Sequence, residues 1–259
     1  MEKELEQKII QANIELHQKS AQYYDQLHPE IFNKSEQRLI DSVLIQILDR
    51  INKEKIDVLD LGAGTGNITL KLLKNKQVGS VIAVDLSEEM LVELERKAGG
   101  SEKLKIANKP ADTFLVDDDS EYDLITISSV LHHLPDYFAT INSILGKLTP
   151  KGILVIFHEP TGEKSKILSF LEWLDIRLFV NLFLSGEIKK VAKSLDHVYS
   201  DYHVYHGFDL PKLKQFFEQR KDLEIIFFKK HNTFDLWPFR WLGNLLSKKN
   251  NFILAVKKK

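Results

Sequence analysis

The residues of this chain best suited to chemistry lie in one short stretch. Val58 to Asn67 reads VLDLGAGTGN, so Asp60 stands two residues before Gly62, and Gly64 and Gly66 follow at alternate positions. Glycines so spaced allow backbone conformations and a close ligand approach that side chains would block, and Ala63 between them is small. A pyrophosphate cradle would read G-x-G-x-x-G, with an acid about 20 residues further on for a ribose. Here the spacing is G-x-G-x-G, Asn67 follows, and the acid at 60 disfavours a pyrophosphate while suiting an ammonium group. Asp85 lies in the next apolar run, Val81 to Leu86, and offers a carboxylate to vicinal ribose hydroxyls. An ammonium group, a ribose and no required phosphate describe S-adenosylmethionine (SAM).

Imidazole is the side chain whose ordinary pKa lies nearest neutrality, and several histidines fall at informative places. His132 and His133 follow the fourth apolar run and His158 follows the fifth, at the edge where open α/β sheets bind ligands. If the reaction removes a proton, His133 and His158 are the expected bases, because strand ends hold a group more rigidly than a loop does. The stretch His197 to His206 mixes histidine, tyrosine and aspartate. Its Tyr202, His203 and His206, with His132, are expected to face a substrate from a lid; the competing reading is a buried hydrogen-bonded cluster. Glu159, before Pro160, reads either as substrate-facing or as an exposed loop acid. No metal is expected, since the chain has no cysteine and no regular element fixes the spacing of the histidine-rich stretch.

These groups need a frame. The chain has 259 residues, 43% of them hydrophobic, with net charge -1, so a sizeable core is expected and disorder is not. Short apolar runs at Ile56 to Leu61, Val81 to Leu86, Leu124 to Ser128 and Ile153 to Phe157 alternate with helical stretches at Ile68 to Lys74, Glu88 to Lys97 and Tyr137 to Leu148. Such alternation implies a parallel sheet buried on both faces. Leu223 to Lys229 and Asn251 to Val256 read as a late antiparallel pair, joined by the aromatic stretch Phe234 to Leu246 that need not be helical. The expected fold class is therefore α/β: a doubly wound, mostly parallel sheet with an antiparallel last strand and a helical cap insertion. Residues 1–52 would be N-terminal helices closing over the ligand, 53–160 the binding core, 161–207 the cap, and 208–259 the C-terminal part of the sheet. Before the first strand, Asn33 and Glu36 have the spacing of a capping box.

Composition also bounds the partners. Balanced charge gives no field for nucleic acid, and Lys257 to Lys259 read as a solvated tail. Ile167 to Leu184 carries Glu172, Asp175 and Arg177, which argues against a membrane span, and the start lacks the apolar stretch of a signal peptide. A cytoplasmic monomer or homodimer is expected. Trp237, Phe239 and Trp241 beside Arg240, Lys248 and Lys249 read first as core packing, but suit peripheral membrane contact or an apolar or aromatic small-molecule substrate as well.

The ordered combination resembles the class I SAM-dependent methyltransferases, in particular the small-molecule methyltransferase group (type 11/12-like). It runs through the D-x-G-x-G-x-G loop, Val84-Asp85-Leu86-Ser87, Ala111-Asp112, Tyr122-Asp123-Leu124-Ile125, Leu131-His132-His133-Leu134 and Leu148-Thr149-Pro150-Lys151-Gly152. It covers about Tyr23 to Phe157. The resemblance implies that Gly62, Gly64 and Gly66 line the methionine part of SAM and Asp85 holds the ribose beside Leu86. Met90 would pack on the adenine, Asp112 beside Ala111 would accept from its amino group, Ser128 would lie under the sulfonium, and Tyr24 would close over the cofactor. One departure stands out: Lys109-Pro110 replaces the Gly-Asp that often precedes Ala111. Two rival functions share much of this pattern, a non-catalytic SAM-binding protein and an NAD-dependent oxidoreductase. A nucleic-acid methyltransferase motif is missing after the fourth strand, where Ser128-Ser129-Val130-Leu131 stands.

Overall fold

The computed structural model describes residues 2–163, 165–195, 201, 203 and 207–259. Tyr202 and His206, and most of the histidine-rich stretch, lie outside the described residues. Seven strands form one sheet: β1 (Ile56–Leu61), β2 (Val78–Asp85), β3 (Leu104–Asn108), β4 (Tyr122–Ser128), β5 (Leu148–Pro160), β6 (Leu223–His231) and β7 (Asn251–Lys258), in the order β3-β2-β1-β4-β5-β7-β6. β1 to β5 pair in parallel, whereas β7 runs antiparallel to both β5 and β6. The strand order reverses beside β1, between β2 and β4, which is where doubly wound sheets open a crevice for ligands.

β1 and β4 are buried almost throughout because helices cover both faces of the sheet. On one face α4 (Lys34–Leu48) and α5 (Thr69–Leu73) bring Ile40, Val43, Leu44, Ile47 and Leu72 onto Val58, Val81, Leu124 and Val155. On the other, α8 (Tyr137–Gly146) and α11 (Leu210–Glu218) press Ile141, Ile144, Leu213 and Phe217 onto Ile125, Ile127 and Leu154. Ser87 caps α6 (Glu88–Ala98) by accepting from the Met90 amide, and left-handed Gly99 ends it, as the sequence suggests.

Several local readings need correction. The Asn33 side chain does cap α4, accepting from the Ser35 and Glu36 amides, but Glu36 does not reach back to close the box. Its carboxylate turns inward to His158 and His231. β3 escapes detection because it is an edge strand with mostly exposed side chains and therefore no apolar run. The Phe234 to Leu246 connection holds a helix, α12 (Trp237–Leu245). Lys257 and Lys258 belong to β7 and are no loose tail: Lys258 Nζ donates to the Leu148 carbonyl at 2.7 Å, and the Lys259 amide donates to that of Asp222.

Three further parts shape the carboxyl edge of the sheet. α1 (Glu2–Ser20) leads through a 3-10 turn into the short helices α2 (Tyr24–Leu27) and α3 (Pro29–Phe32). α7 (Ala111–Asp117) follows β3. After β5 come α9 (Lys166–Leu182) and α10 (Gly186–Ser194). α9 is anchored by buried Asp175, which accepts from the Asp235 and Leu236 amides at 2.6 and 2.9 Å. Leu168 packs there with Phe234 and Phe239. α10 is joined to the N-terminal region where Tyr23 OH donates to Glu187 at 3.2 Å.

Candidate functional site

The glycine loop leaves β1 in left-handed turns that only glycine adopts readily. Gly62 has φ 68°, and a Cβ there would stand 2.0 Å from Val130 Cγ2. Gly64 differs, because a Cβ on it would meet nothing within 4 Å; its open side faces a cavity. Its amide donates to Asp85 Oδ2 at 2.8 Å, and the Ser87 amide donates to Oδ1 at 2.9 Å. Each Asp85 oxygen thus keeps a lone pair for a further donor, and burial raises the carboxyl above its ordinary pKa despite those amides. Gly66 does not line the cavity. It is required by packing, since a Cβ would lie 2.5 Å from Leu94 Cδ1 on α6.

Asp60 sits behind the loop and is 1% exposed. Thr69 Oγ1 donates to one of its oxygens and Thr126 Oγ1, at 2.7 Å, to the other. Burial pushes its pKa up to about 6 against these hydroxyls. Asp60 and Ala63 border a small recess with Tyr24, Gly64 and Ser128. The main cavity is bordered by Tyr24, Gly62, Gly64, Asp85, Leu86, Met90, Ala111, Asp112, Ser128 and His133. Within it Asp112 accepts from Thr140 Oγ1 at 2.6 Å. Lys109 and Pro110 lie on the same wall, so the departure from Gly-Asp changes the lining there.

The N-terminal segment closes this cavity. Asp25 accepts from Thr65 Oγ1 and from Lys97 Nζ, both at 2.6 Å, latching the segment to the glycine loop. Gln37 on α4 likewise donates to Asn67 at 2.8 Å. The latch places the Tyr24 ring 4.4 Å from that of His28 and 6.0 Å from that of His17. Burial, chiefly, raises the Tyr24 hydroxyl well above its usual range, so it stays neutral. His17 was not picked out from sequence; its signal is a polar residue on the buried stripe Ile9, Asn13, His17 of α1. Burial, then the neighbouring His133, drives its pKa down to about 3. A neutral imidazole results, whose Nδ1 has no hydrogen-bond partner among the described residues.

The loop after β4 is organised by Glu159. This residue is fully buried, contrary to the exposed-acid reading. Its Oε1 accepts from the Val130 and Leu131 amides at 2.7 and 2.8 Å, and its Oε2 from the His132 amide and His132 Nδ1. His132 is therefore held by Glu159. Burial disfavours its charged form, but the adjacent carboxylate outweighs burial and raises its pKa. His133 projects further, bordering both the glycine-loop cavity and a second chamber of about 270 Å³. Its Nδ1 lies 3.7 Å from Asp201.

The other expected base is elsewhere. His158 does border the second chamber, but it does not line the glycine-loop cavity, and its Nε2 lies 3.5 Å from Glu36. His203 is committed to backbone, with Nε2 2.8 Å from the Leu134 carbonyl oxygen and Nδ1 3.2 Å from that of Gly207. The second chamber shares His28, Glu30, Glu172, Asp201, Thr233 and Asn250 with a third, of about 460 Å³, that runs under α9 to Phe179, Val180 and Leu184. Two of its carboxyls are offset: Glu30 pairs with His28 at 2.9 Å, and burial, followed by the Glu30 charge, raises the Asp235 carboxyl far above its usual range.

Fold and site together are those of a class I SAM-dependent methyltransferase. The chain belongs to the methyltransferase domain family, whose model matches residues 32–197. It is 31% identical over 163 residues to the demethylmenaquinone methyltransferase of Staphylococcus saprophyticus, covering 62% of this chain and 67% of that one. It is 28% identical over 143 residues to the malonyl-[acyl-carrier protein] O-methyltransferase of Halalkalibacterium halodurans, covering 53% and 51%. Two solved structures share the fold. Magnesium protoporphyrin IX methyltransferase from Synechocystis with bound SAH aligns at TM-score 0.55 and 17% identity, over 86% of this chain and 83% of that one. The plantazolicin methyltransferase aligns at 0.55 and 13%, over 98% and 99%. SAM is the cofactor, and the open face of Gly64 beside the spare lone pairs of Asp85 fits it.

The Asp60 environment fixes a pH dependence. Its folded pKa of about 6 exceeds its ordinary 3.8, so between these values the folded state holds a proton that the unfolded state has lost. The contribution of Asp60 to the stability of the cofactor-free protein therefore falls as pH rises from 4 to 6, and Asp60→Asn should remove that contribution's fall. Urea unfolding at pH 4 and pH 7 checks this: the variant should gain on the wild type at pH 7, and parallel curves at both pH values would contradict it.

Proposed function

We propose that this methyltransferase acts on a small, largely apolar molecule through a hydroxyl group, with His133 as the base. The observation that carries this reading is that His17, Tyr24, Ser129 and His133 border both the cofactor cavity and the second chamber. An acceptor in that chamber thus meets the cofactor across an imidazole. When bound, SAM supplies an activated methyl group. The protein's part is to place the acceptor oxygen in line, keep water out and take up one proton. Asp201 stands where it would orient and charge-stabilise the His133 ring. His17 is too weak a base for that task and instead leaves its unpartnered Nδ1 to hydrogen-bond a bound molecule. The apolar wall of the third chamber, formed by Ile176, Phe179, Val180 and Leu184, suits an apolar acceptor body. The relatives named above act, by name, on demethylmenaquinone and malonyl-[acyl-carrier protein], and both are consistent with a non-nucleic-acid acceptor.

In this reading Asp85 holds the ribose, Met90 and Asp112 border the adenine, and Ser128 lies near the sulfonium. Asp85→Ala should weaken SAH binding about a hundredfold or more, the loss expected when two hydrogen bonds to a charged acceptor vanish, each worth about 1.5–3 kcal/mol. Calorimetric titration reads it, and unchanged affinity in a folded variant would remove Asp85 from the site. His133→Ala should slow single-turnover methylation of a hydroxylated acceptor by about 10²–10⁴. A loss below about tenfold, or turnover of amines in preference to hydroxyl compounds, would overturn the hydroxyl reading.

We also propose that the acceptor is taken up at an anionic lipid surface. Among the described residues no helix is long and apolar enough to cross a membrane. Yet α9 exposes Ile167, Phe170 and Trp173, and α12, packed beside it, exposes Trp237, Trp241 and Leu245. Trp237 is 71% exposed, so the core-packing reading of this aromatic stretch holds for Phe239 but not for the two tryptophans. Lys166, Arg177, Arg240, Lys248 and Lys249 flank these rings, the pairing of aromatic and cation that favours an anionic interface. Co-sedimentation with phosphatidylglycerol vesicles should be strong, should fall with added salt, and should drop at least tenfold in Trp237→Ala/Trp241→Ala. Equal sedimentation of the double variant, or dimerisation through the same face without vesicle binding, would contradict it.

A further inference from the structure

We infer that Glu36, His158 and His231 form a divalent-cation site, two imidazoles and a carboxylate suited to zinc, in the floor beneath the second chamber. The three residues come from separate parts of the chain. Glu36 lies in the first turn of α4, freed from capping because Asn33 alone holds that helix start. His158 lies near the end of β5 and His231 ends β6. Their donor atoms converge: Glu36 Oε2 is 3.2 Å from His231 Nε2 and 3.5 Å from His158 Nε2, and all three atoms lie within 4.8 Å of one another. Donor atoms placed tetrahedrally at zinc bond lengths of about 2.0–2.1 Å sit about 3.3–3.4 Å apart. The two carboxylate-imidazole separations bracket that value.

Ion pairing draws Glu36 Oε2 towards both imidazoles, but no well-aligned hydrogen bond satisfies the cluster. Glu36 Oε2 and both ring nitrogens of His158 and of His231 are buried, and none has a hydrogen-bond partner among the described residues. Buried polar atoms are ordinarily satisfied, and three of these, one from each residue, converge within 4.8 Å of one another, which suits an occupant that accepts electron pairs from nitrogen and oxygen together. A magnesium or calcium ion would prefer oxygen ligands alone, whereas zinc takes imidazole and carboxylate. The backbone supports the same conclusion. His158 has φ 51°, a left-handed conformation uncommon outside glycine, and Ser129, just after β4 and hydrogen-bonded to the His158 carbonyl, has φ 55°. Such strain persists where the surroundings hold it in place. A cation bound to His158 would do so, and would fix the peptide that carries Glu159 and, through it, the His132-His133 loop. The three ligands would thus act as positioning residues, with the cation itself away from the cofactor cavity.

The test uses the full chain, stripped with a chelator, incubated with zinc chloride and passed through a desalting column before metal analysis and thermal unfolding. The inference expects one zinc retained per chain, a higher melting temperature with zinc than without, and no such rise with magnesium. Glu36→Gln and His231→Gln should each lose the retained zinc and the zinc-induced rise, while a folded His231→Gln still binds SAH. Since binding needs neutral imidazoles, zinc retention should also fall on acidification to pH 5. Less than about one-tenth of an equivalent retained by the wild type would overturn the site. So would full retention by both variants, or loss of the zinc only in His133→Ala, which would move it to the cluster of His132, His133 and Asp201.

Discussion

A carboxylate persists inside a protein only where donors surround it, and Glu159 has four of them. Three successive backbone amides and one imidazole nitrogen converge on its two oxygens. That arrangement dictates much of what stands at the carboxyl edge of the sheet. It turns the chain after β4 so that His132 faces inward and His133 reaches the wall between the two cavities. It also ties the end of β5 to the end of β4, where Ser129 donates to the Phe157 and His158 carbonyls. Remove the carboxylate and four donors lose their partner at once, so the loop would have no reason to keep its present course.

The cofactor side depends on a second carboxylate used in the same manner. Asp85 takes one amide from the glycine loop and one from the start of α6, which spaces those elements and leaves outward-facing lone pairs over the cavity. Asp25 then draws the N-terminal helices down onto the loop through Thr65 and Lys97. The N-terminal segment that covers the first cavity also shapes the second, since Tyr24 and His17 border both.

Legibility in the sequence followed physical locality. The strands of the parallel sheet, the glycine loop, Asp85 and the caps of α6 were readable because each is a short-range pattern of burial or backbone conformation. β3 was not, because an edge strand with exposed side chains leaves no apolar run. Gly66 looked like a ligand-lining glycine and is required by Leu94 instead, a contact between residues distant in sequence. The same distance hid His17, Asp25 and the destination of Glu36. His158 shared with His133 its place at a strand end, but a left-handed turn there carries its ring to Glu36 and away from the cofactor cavity. Side-chain direction at such a turn is a tertiary property, and no periodicity encodes it.

The central claim is that SAM lies under the N-terminal strap, between Asp85 and the wall that carries His133. A crystal structure of the full chain with SAH tests it most directly. The account predicts ribose hydroxyls on the Asp85 carboxylate, backbone of Gly62 and Gly64 against the amino-acid part, the purine between Met90 and Asp112, and the sulfur directed at the opening toward His133. Asp25 should remain bonded to Thr65 and Lys97. SAH bound with its sulfur facing away from the second chamber, or outside the strap with Asp85 unengaged, would contradict it.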